Sequence, residues 1–283
     1  MKKIFAILSV LVLLFSFTAC KKDYLETSPT DRVAGPTIFS DAENAMTAAN
    51  GLIRLLFVGG WGSSWGAGRW AKKRSLPRTA GHAVGAETVR TIANYCKDIG
   101  IDYLTLYAFS TENWKRPDDE VKTLMNLFEQ YVAEAIGVIQ RDNIRMDFFG
   151  DLEGLSPKLQ EMMATARRES AGHAGCQLNL CINYGGRDEI LHAVRRYAED
   201  YAAGKAPELT EESFGRLLYT GGLPDPDLII RTSGEQRLSN FLPWQAAYSE
   251  LYFTPVFWPD FTPRDMDAAI IEFQRRNRRF GGI

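Results

Sequence analysis

The chain has 283 residues, 45% hydrophobic and 24% charged, with a formal net charge of −2 at pH 7. This length and apolar content exclude a disordered or fibrous chain and suffice for one large domain, with or without an appendage. The small net charge excludes the global basic field of a nucleic-acid binder, so no nucleic-acid partner is expected.

The first twenty residues, "MKKIFAILSVLVLLFSFTAC", carry Lys2 and Lys3, an apolar run from Ile4 to Phe17, and Thr18-Ala19 before Cys20. This is a signal-peptide pattern, too short for a comfortable membrane span. It predicts a lipoprotein-type leader over 1–20, with Cys20 bearing the lipid, and hence export and membrane anchoring. Residues 21–66 open polar, with Pro29, Gly35 and Pro36 as breakers. Ser40-Asp41 would cap a helix from Ala42 to about Leu56, before a Gly/Ser/Trp loop. Within the same stretch, "LIRLLFV" (52–58) could serve as a strand, but its spacing to Gly68 is wrong for one that leads into the motif there.

From Gly68 onward strand-like and helix-like stretches alternate. Strands are predicted at 103–109, 144–150, 177–184, 227–231 and 250–254. Helices are predicted at about 83–98, 118–140, 157–170, 187–203 and 263–279. In 118–140, Val121, Leu124, Met125, Phe128, Tyr131, Val132, Ala135 and Ile136 recur at helical spacing. That stripe reads as core, or as the wall of an apolar tunnel. The alternation implies an α/β fold with an open, mainly parallel sheet flanked by helices, and a foreign N-terminal extension. Cys96, Cys176 and Cys181 lie in apolar patterns without metal-ligand spacing, as buried thiols of a reducing compartment would.

In such sheets ligands bind at the carboxyl ends of the strands. "YLTLYAF" runs into Ser110, Glu112, Asn113, Trp114 and Arg116. "QLNLCINY" runs into Gly185-Gly186 before a helix, where "GRDE" reads either as part of an anion site or as a plain helix cap, and "DLIIR" runs into Ser233, Arg237 and Ser239. "GAGRWAKKR" places glycines and Arg69 at a helix start. Glycines let backbone approach an oxyanion, helix N-termini offer free N–H groups, and arginines supply bidentate donors. Together they predict a pocket for one or two phosphate groups. Arginines cluster at 69–78 and 231–237, as this requires; the cluster at 275–279 reads as a solvated helix face.

The motifs "GRWAKKRSLPRTAGH", "YLTLYAFSTENWKRP", "INYGGRDEI", "GLPDPDLIIRTSGEQRLSNFLPWQAAYSELYFTPVFWPDF" and "RRFGG" carry a resemblance. Over about 68–282 the chain resembles the cis-prenyltransferases, in their undecaprenyl diphosphate synthase (isoprenyl transferase) branch. The resemblance implies Mg²⁺-dependent condensation of isopentenyl diphosphate onto an allylic, farnesyl-like diphosphate, giving a long cis-polyprenyl product. It also implies a homodimer in the cytoplasm, with membrane association through the lipid product or Cys20. It assigns Gly66, Gly68, Arg69, Trp70, Arg78 and His82 to the allylic substrate, and Ser110, Thr111, Glu112, Trp114 and Arg116 to a loop over the reacting ends. Asn113 matches a residue that assists proton removal; because an amide is a poor base, diphosphate is an alternative acceptor. Arg231, Arg237, Leu238 and Ser239 match the isopentenyl diphosphate site, and Glu250 a Mg²⁺ ligand. Residues 1–66 separately resemble the start of SusD-like outer-membrane lipoproteins, through Cys20, "DYLETSPTD", "FSDAENAMTAANGLIRLLF" and "GWGSSWG". The expected organisation is therefore a leader over 1–20, a SusD-like segment over 21–66 and a cis-prenyltransferase domain over 67–283.

One motif departs from the family pattern Met-Asp-Gly-Asn-Gly-Arg-Trp. The Asp position is Trp65 and the Asn position Ala67. Losing a carboxylate that organises metal and diphosphate implies an impaired active site. Two other readings stay open: a non-catalytic subunit of the same fold, and the product of a fused or misassembled gene.

Overall fold

The computed structural model describes residues 66–276, together with the backbone of residues 54–58. The expected leader, Cys20, Trp65 and "RRFGG" lie outside the described residues, as does most of the expected helix over 42–56.

Among the described residues six strands form one parallel sheet in the order β3-β4-β2-β1-β5-β6. They are β1 (Arg54–Val58), β2 (Tyr103–Ser110), β3 (Arg145–Phe149), β4 (Gln177–Tyr184), β5 (Leu228–Arg231) and β6 (Glu250–Phe253). The helices between them are α1 (Ala67–Lys73), α2 (Arg78–Asp98), α3 (Asp118–Asp142), α4 (Pro157–Ser170), α5 (Gly186–Ala202), α6 (Glu211–Gly215) and α7 (Pro263–Arg275). The five strands expected downstream of Gly68 are all present. Short 3₁₀ turns at Thr111–Lys115, Gln245–Tyr248 and Trp258–Asp260, and α6, carry no apolar period and were not expected.

The N-terminal part holds a correction. The helix expected to run to about Leu56 does not do so, because Arg54–Val58 is a strand. It lies in the middle of the sheet, with Leu55 level with Leu104 on one side and with Leu228 on the other. A slot between two parallel strands offers backbone partners on both edges, and this outweighs helix propensity for an apolar five-residue run. The segment that resembles a lipoprotein thus supplies the central strand.

The core follows the two-residue period of the strands. Leu104, Leu106, Ala108, Leu178, Leu180, Ile182, Leu228 and Ile230 face one layer, shared with α2, α3, α4 and α7. Tyr107, Cys181, Tyr184 and Ile229 face the other, against Phe241 and Leu242. The β2–β4 register shifts between Tyr107 and Phe109. Such a bulge re-aims side chains, and here Phe109 joins the first layer, edge-on to Trp114 and Phe128. Cys96, Cys176 and Cys181 are buried free thiols.

Because β1 lies between β2 and β5, removing residues 1–66 should abolish cooperative thermal unfolding and soluble expression. Removing residues 1–20 should leave both intact, as followed by circular dichroism.

Candidate active site

The chain leaves β1 toward β2 and returns past it to β5, so strand order reverses between β1 and β5. The crevice at the carboxyl ends of that pair is where ligands bind in open parallel sheets. α1 follows β1 on one wall, and the loop Thr232–Asn240 follows β5 on the other.

On the β5 wall, Arg231, Thr232 and Ser233 are all buried. Arg231 Nε, Thr232 Oγ1 and Ser233 Oγ have no hydrogen-bond partner among the described residues. Buried donors without partners are costly, so three together mark a place built for a polar ligand. Burial lowers the Arg231 pKa and the Arg237 charge adds to this, against Glu235 and Tyr107. A site that presses on a buried guanidinium in this way favours an anion. Ser233 (φ 73°), Ser239 (φ 54°), Asn240 (φ 64°) and Leu242 (φ 48°) hold left-handed backbone within ten residues. Such strain gathers at ligand sites.

On the opposite wall, α1 brings Arg69 within 3.4 Å of Glu235, which also pairs with Arg237. A side chain at Gly68 would meet only the Arg78 side chain, at 3.9 Å, so its face is open. Gly66 is buried and its carbonyl accepts the Trp70 N–H at 3.0 Å. Trp70 donates its indole N–H to Asp260 at 2.6 Å, and Arg74 lies over its ring. Trp70 therefore fixes α1 to the 3₁₀ turn at 258–260. His82 is buried on α2. Glu120 accepts from Arg78 at 2.9 Å and from Arg116 at 3.2 Å, which joins α2 to the start of α3. Burial lowers the Arg116 pKa, with Glu120 opposing and Arg78 adding.

The loop after β2 is a 3₁₀ turn closed by a reciprocal box. Ser110 Oγ accepts the Asn113 N–H, and Asn113 Oδ1 accepts the Ser110 N–H at 3.1 Å. Asn113 thus commits its amide oxygen to the turn. Trp114 donates to Asn183 at 2.7 Å yet stays 42% exposed, so its face is available to a ligand. Burial by itself would raise the Glu112 pKa. Hydrogen bonds from its own backbone, Asn240, Ser110 and Thr111 prevail and hold it below the usual carboxylate value.

Two expectations change. The N-terminus of α5 is not an open anion cradle: Asn240 accepts the Gly186 N–H through its carbonyl at 2.8 Å and the Arg187 N–H through Oδ1 at 2.9 Å. Arg276, expected on a solvated face, donates to Glu250 at 2.7 Å and to the Leu251 carbonyl at 2.9 Å. Glu250 is level with Leu228, and Arg231 with Phe253. Glu250 therefore stands at the amino end of its strand, away from the residues just described. Among the described residues no three His, Cys, Asp or Glu side chains form a metal cluster. The described residues by themselves therefore present no ready-made cation site.

A cavity of about 70 Å³ lies between α2, α3 and the sheet, lined by Val89, Ala93, Tyr131, Val132, Ala135 and Leu180 among others. The α3 stripe is core at Val121, Leu124, Phe128 and Val132, and Tyr131, Val132 and Ala135 line the cavity. An apolar cavity of roughly 150 Å³ accommodates a benzene ring, so a longer chain requires α2 and α3 to part.

Residues 65–281 match the prenyltransferase family model described as "Putative undecaprenyl diphosphate synthase". The chain belongs to the undecaprenyl diphosphate synthase family of cis-prenyltransferases. It is 49% identical over 220 residues to the isoprenyl transferase of Clostridium perfringens, covering 77% of this chain and 87% of that protein. It is 50% identical over 218 residues to that of Thermotoga maritima, covering 77% and 94%. Its fold is similar to lavandulyl diphosphate synthase from Lavandula x intermedia in complex with dimethylallyl diphosphate (TM-score 0.75, 32% identity, 81% of this chain and 97% of that one). It is also similar to a probable undecaprenyl diphosphate synthase from Campylobacter jejuni (TM-score 0.67, 33% identity, 82% and 100%).

Residues that the sequence did not single out support this family site from beneath. Glu189, fully buried, accepts from Tyr184 Oη at 2.5 Å and from Gln245 Nε2 at 3.2 Å. Gln245 also donates to Thr220 at 2.7 Å. Their only sequence signal is polarity inside an apolar pattern. Burial raises the Glu189 pKa, while these donors and the Thr220 and Tyr219 backbone oppose it. A carboxyl raised in the folded state favours folding at low pH and loses that contribution as pH rises. The thermal stability of the wild type relative to Glu189→Gln should therefore decline as pH rises from the ordinary carboxyl value of 4.5. A flat difference across a pH series of melts would contradict the assignment.

Proposed function

We propose that this chain condenses isopentenyl diphosphate onto a farnesyl-like allylic diphosphate, building a long cis-polyprenyl diphosphate such as undecaprenyl diphosphate. The observation that carries this reading is the set of buried, unpartnered donors at Arg231, Thr232 and Ser233, on a sheet that also bears an apolar cavity. One end of such a site suits diphosphate and the other suits hydrocarbon.

In the reaction the allylic C–O bond breaks and diphosphate leaves with the bonding electrons. The terminal alkene carbon of isopentenyl diphosphate bonds to the allylic carbon, and a proton leaves the neighbouring CH₂. Negative charge grows on the leaving diphosphate, and fixed donors stabilise it without reorganising. Gly68, Arg69, Arg78 and the nearby His82 would receive the allylic diphosphate, and Arg231, Arg237 and Ser239 the isopentenyl one, with Leu238 packed beneath. Trp114 and Arg116 would close over the reacting ends. Asn113 would hold the turn in shape, and the released diphosphate would take the proton. Growing product would enter between α2 and α3.

Magnesium would arrive with the diphosphates, since a hard cation takes phosphate oxygens readily and the described residues present no cluster of their own. A homodimer is supported by β6, an edge strand that ends in Phe253 and is preceded by Tyr248, 80% exposed. Cytoplasmic residence would follow the family, and the expected leader would oppose it. No helix among the described residues is long and apolar enough to cross a membrane.

Trp65 in place of the motif Asp would lower the rate. The test is labelled isopentenyl diphosphate incorporation with farnesyl diphosphate and Mg²⁺. Trp65→Asp, alone and with Ala67→Asn, should exceed the unmutated chain by about 100-fold, roughly 3 kcal/mol of transition-state stabilisation. Equal, full activity in all three would overturn the impaired-site reading, and silence in all three the enzyme reading. In whichever form turns over, Arg231→Ala should raise KM for isopentenyl diphosphate at least tenfold, and an unchanged KM would remove Arg231 from that subsite.

A further inference from the structure

Asn240 touches three parts of the site at once. It sits one residue past Ser239 with left-handed backbone, φ 64°. Its carbonyl accepts the Gly186 N–H at 2.8 Å, and its Oδ1 accepts the Arg187 N–H at 2.9 Å. Its Nδ2 donates to Glu112 Oε1 at 3.0 Å. The loop after β5 is thereby tied to the start of α5, after β4, and to the turn after β2. These elements converge tightly: a side chain at Gly185 would stand 2.6 Å from Thr111 Oγ1 and 3.0 Å from Asn240 Nδ2.

Each of the three bonds needs a different property. The backbone bond needs the left-handed turn, which Asn tolerates better than most residues. Capping α5 needs an oxygen, and holding Glu112 as a carboxylate needs an N–H donor. Only a carboxamide offers the last two together. Asp would keep the oxygen, and near a helix N-terminus its charge is favoured. It would also remove the donor and set two carboxylates against each other.

We propose that Asn240 is a positioning residue of the transfer reaction. It sets the Ser110–Arg116 turn in register with the Arg231–Ser239 loop, and so places the loop over the reacting ends relative to the isopentenyl diphosphate subsite. This rests on the reading of the site given under Proposed function, so its first test needs no turnover.

Backbone hydrogen exchange is measured on the full chain for wild type, Asn240→Asp and Asn240→Gly. Asn240→Asp should speed exchange across 110–116 while 185–190 stays protected, and Asn240→Gly should speed both. Unchanged exchange at 110–116 in Asn240→Asp, or equal loosening of both segments, overturns the proposal. The second test uses whichever form turns over, wild type or Trp65→Asp. There Asn240→Asp should lower kcat at least tenfold with KM for isopentenyl diphosphate changed less than threefold, and should recover as pH falls and the carboxylate pair takes up a proton. Combining Glu112→Gln with Asn240→Asp reverses the donor and acceptor at the two positions, and should restore their hydrogen bond and part of the rate. Wild-type kcat in Asn240→Asp overturns the proposal. If neither form turns over, the functional reading fails, while the exchange result still decides the positioning role.

Discussion

The loops and helix starts proposed to bind the diphosphates gather at the carboxyl edge of one parallel sheet, and that edge is continuous only because β1 fills the slot between β2 and β5. A parallel strand in that position is hydrogen-bonded on both sides, so its loss exposes two ladders. The crevice between α1 and the loop after β5 exists because strand order reverses at the β1–β5 pair. Integrity of the fold and of the proposed site are therefore one requirement.

Around that edge carboxylates link arginines across elements. Arg78 and Arg116 share Glu120, and Arg69 and Arg237 share Glu235. Arg231 is buried with its Nε unpartnered, and repulsion from Arg237 adds to the cost of its burial. Burying a guanidinium in this way is costly, and an anion with several oxygens, such as the diphosphate proposed above, would offset that cost. The acids near this edge position arginines or, in Glu112, receive a carboxamide; Glu250 stands at the other end of the strands, held by Arg276.

The apolar half of the site obeys a different rule. The α3 stripe is continuous in sequence but splits in space, because Val121, Leu124 and Phe128 meet α4 and the sheet while Tyr131, Val132 and Ala135 face a gap toward α2. A gap lined by carbon stays dry and collapses little, so it remains available to hydrocarbon without a fixed shape.

Much of this was legible in the residues. Period-two runs such as "QLNLCINY" and the 3.6-residue stripe of α3 record burial directly, so five strands and the long helices were fixed by local pattern. Glycines and arginines at strand ends raised the expectation of an anion site, and the long Trp- and Arg-rich motifs specified the family. Other features had no local signal. "LIRLLFV" fits a helix or a strand until two neighbouring ladders decide it. The N-terminus of α5 reads as an anion cradle until Asn240, more than fifty residues away, takes its N–H groups. Glu250 carries no local sign of its partner, which register and the chain's end set as Arg276. Sequence determines what each segment can bury and which charges it carries. Only tertiary structure decides which donor meets which acceptor, because that pairing depends on strands adjacent in space and distant along the chain.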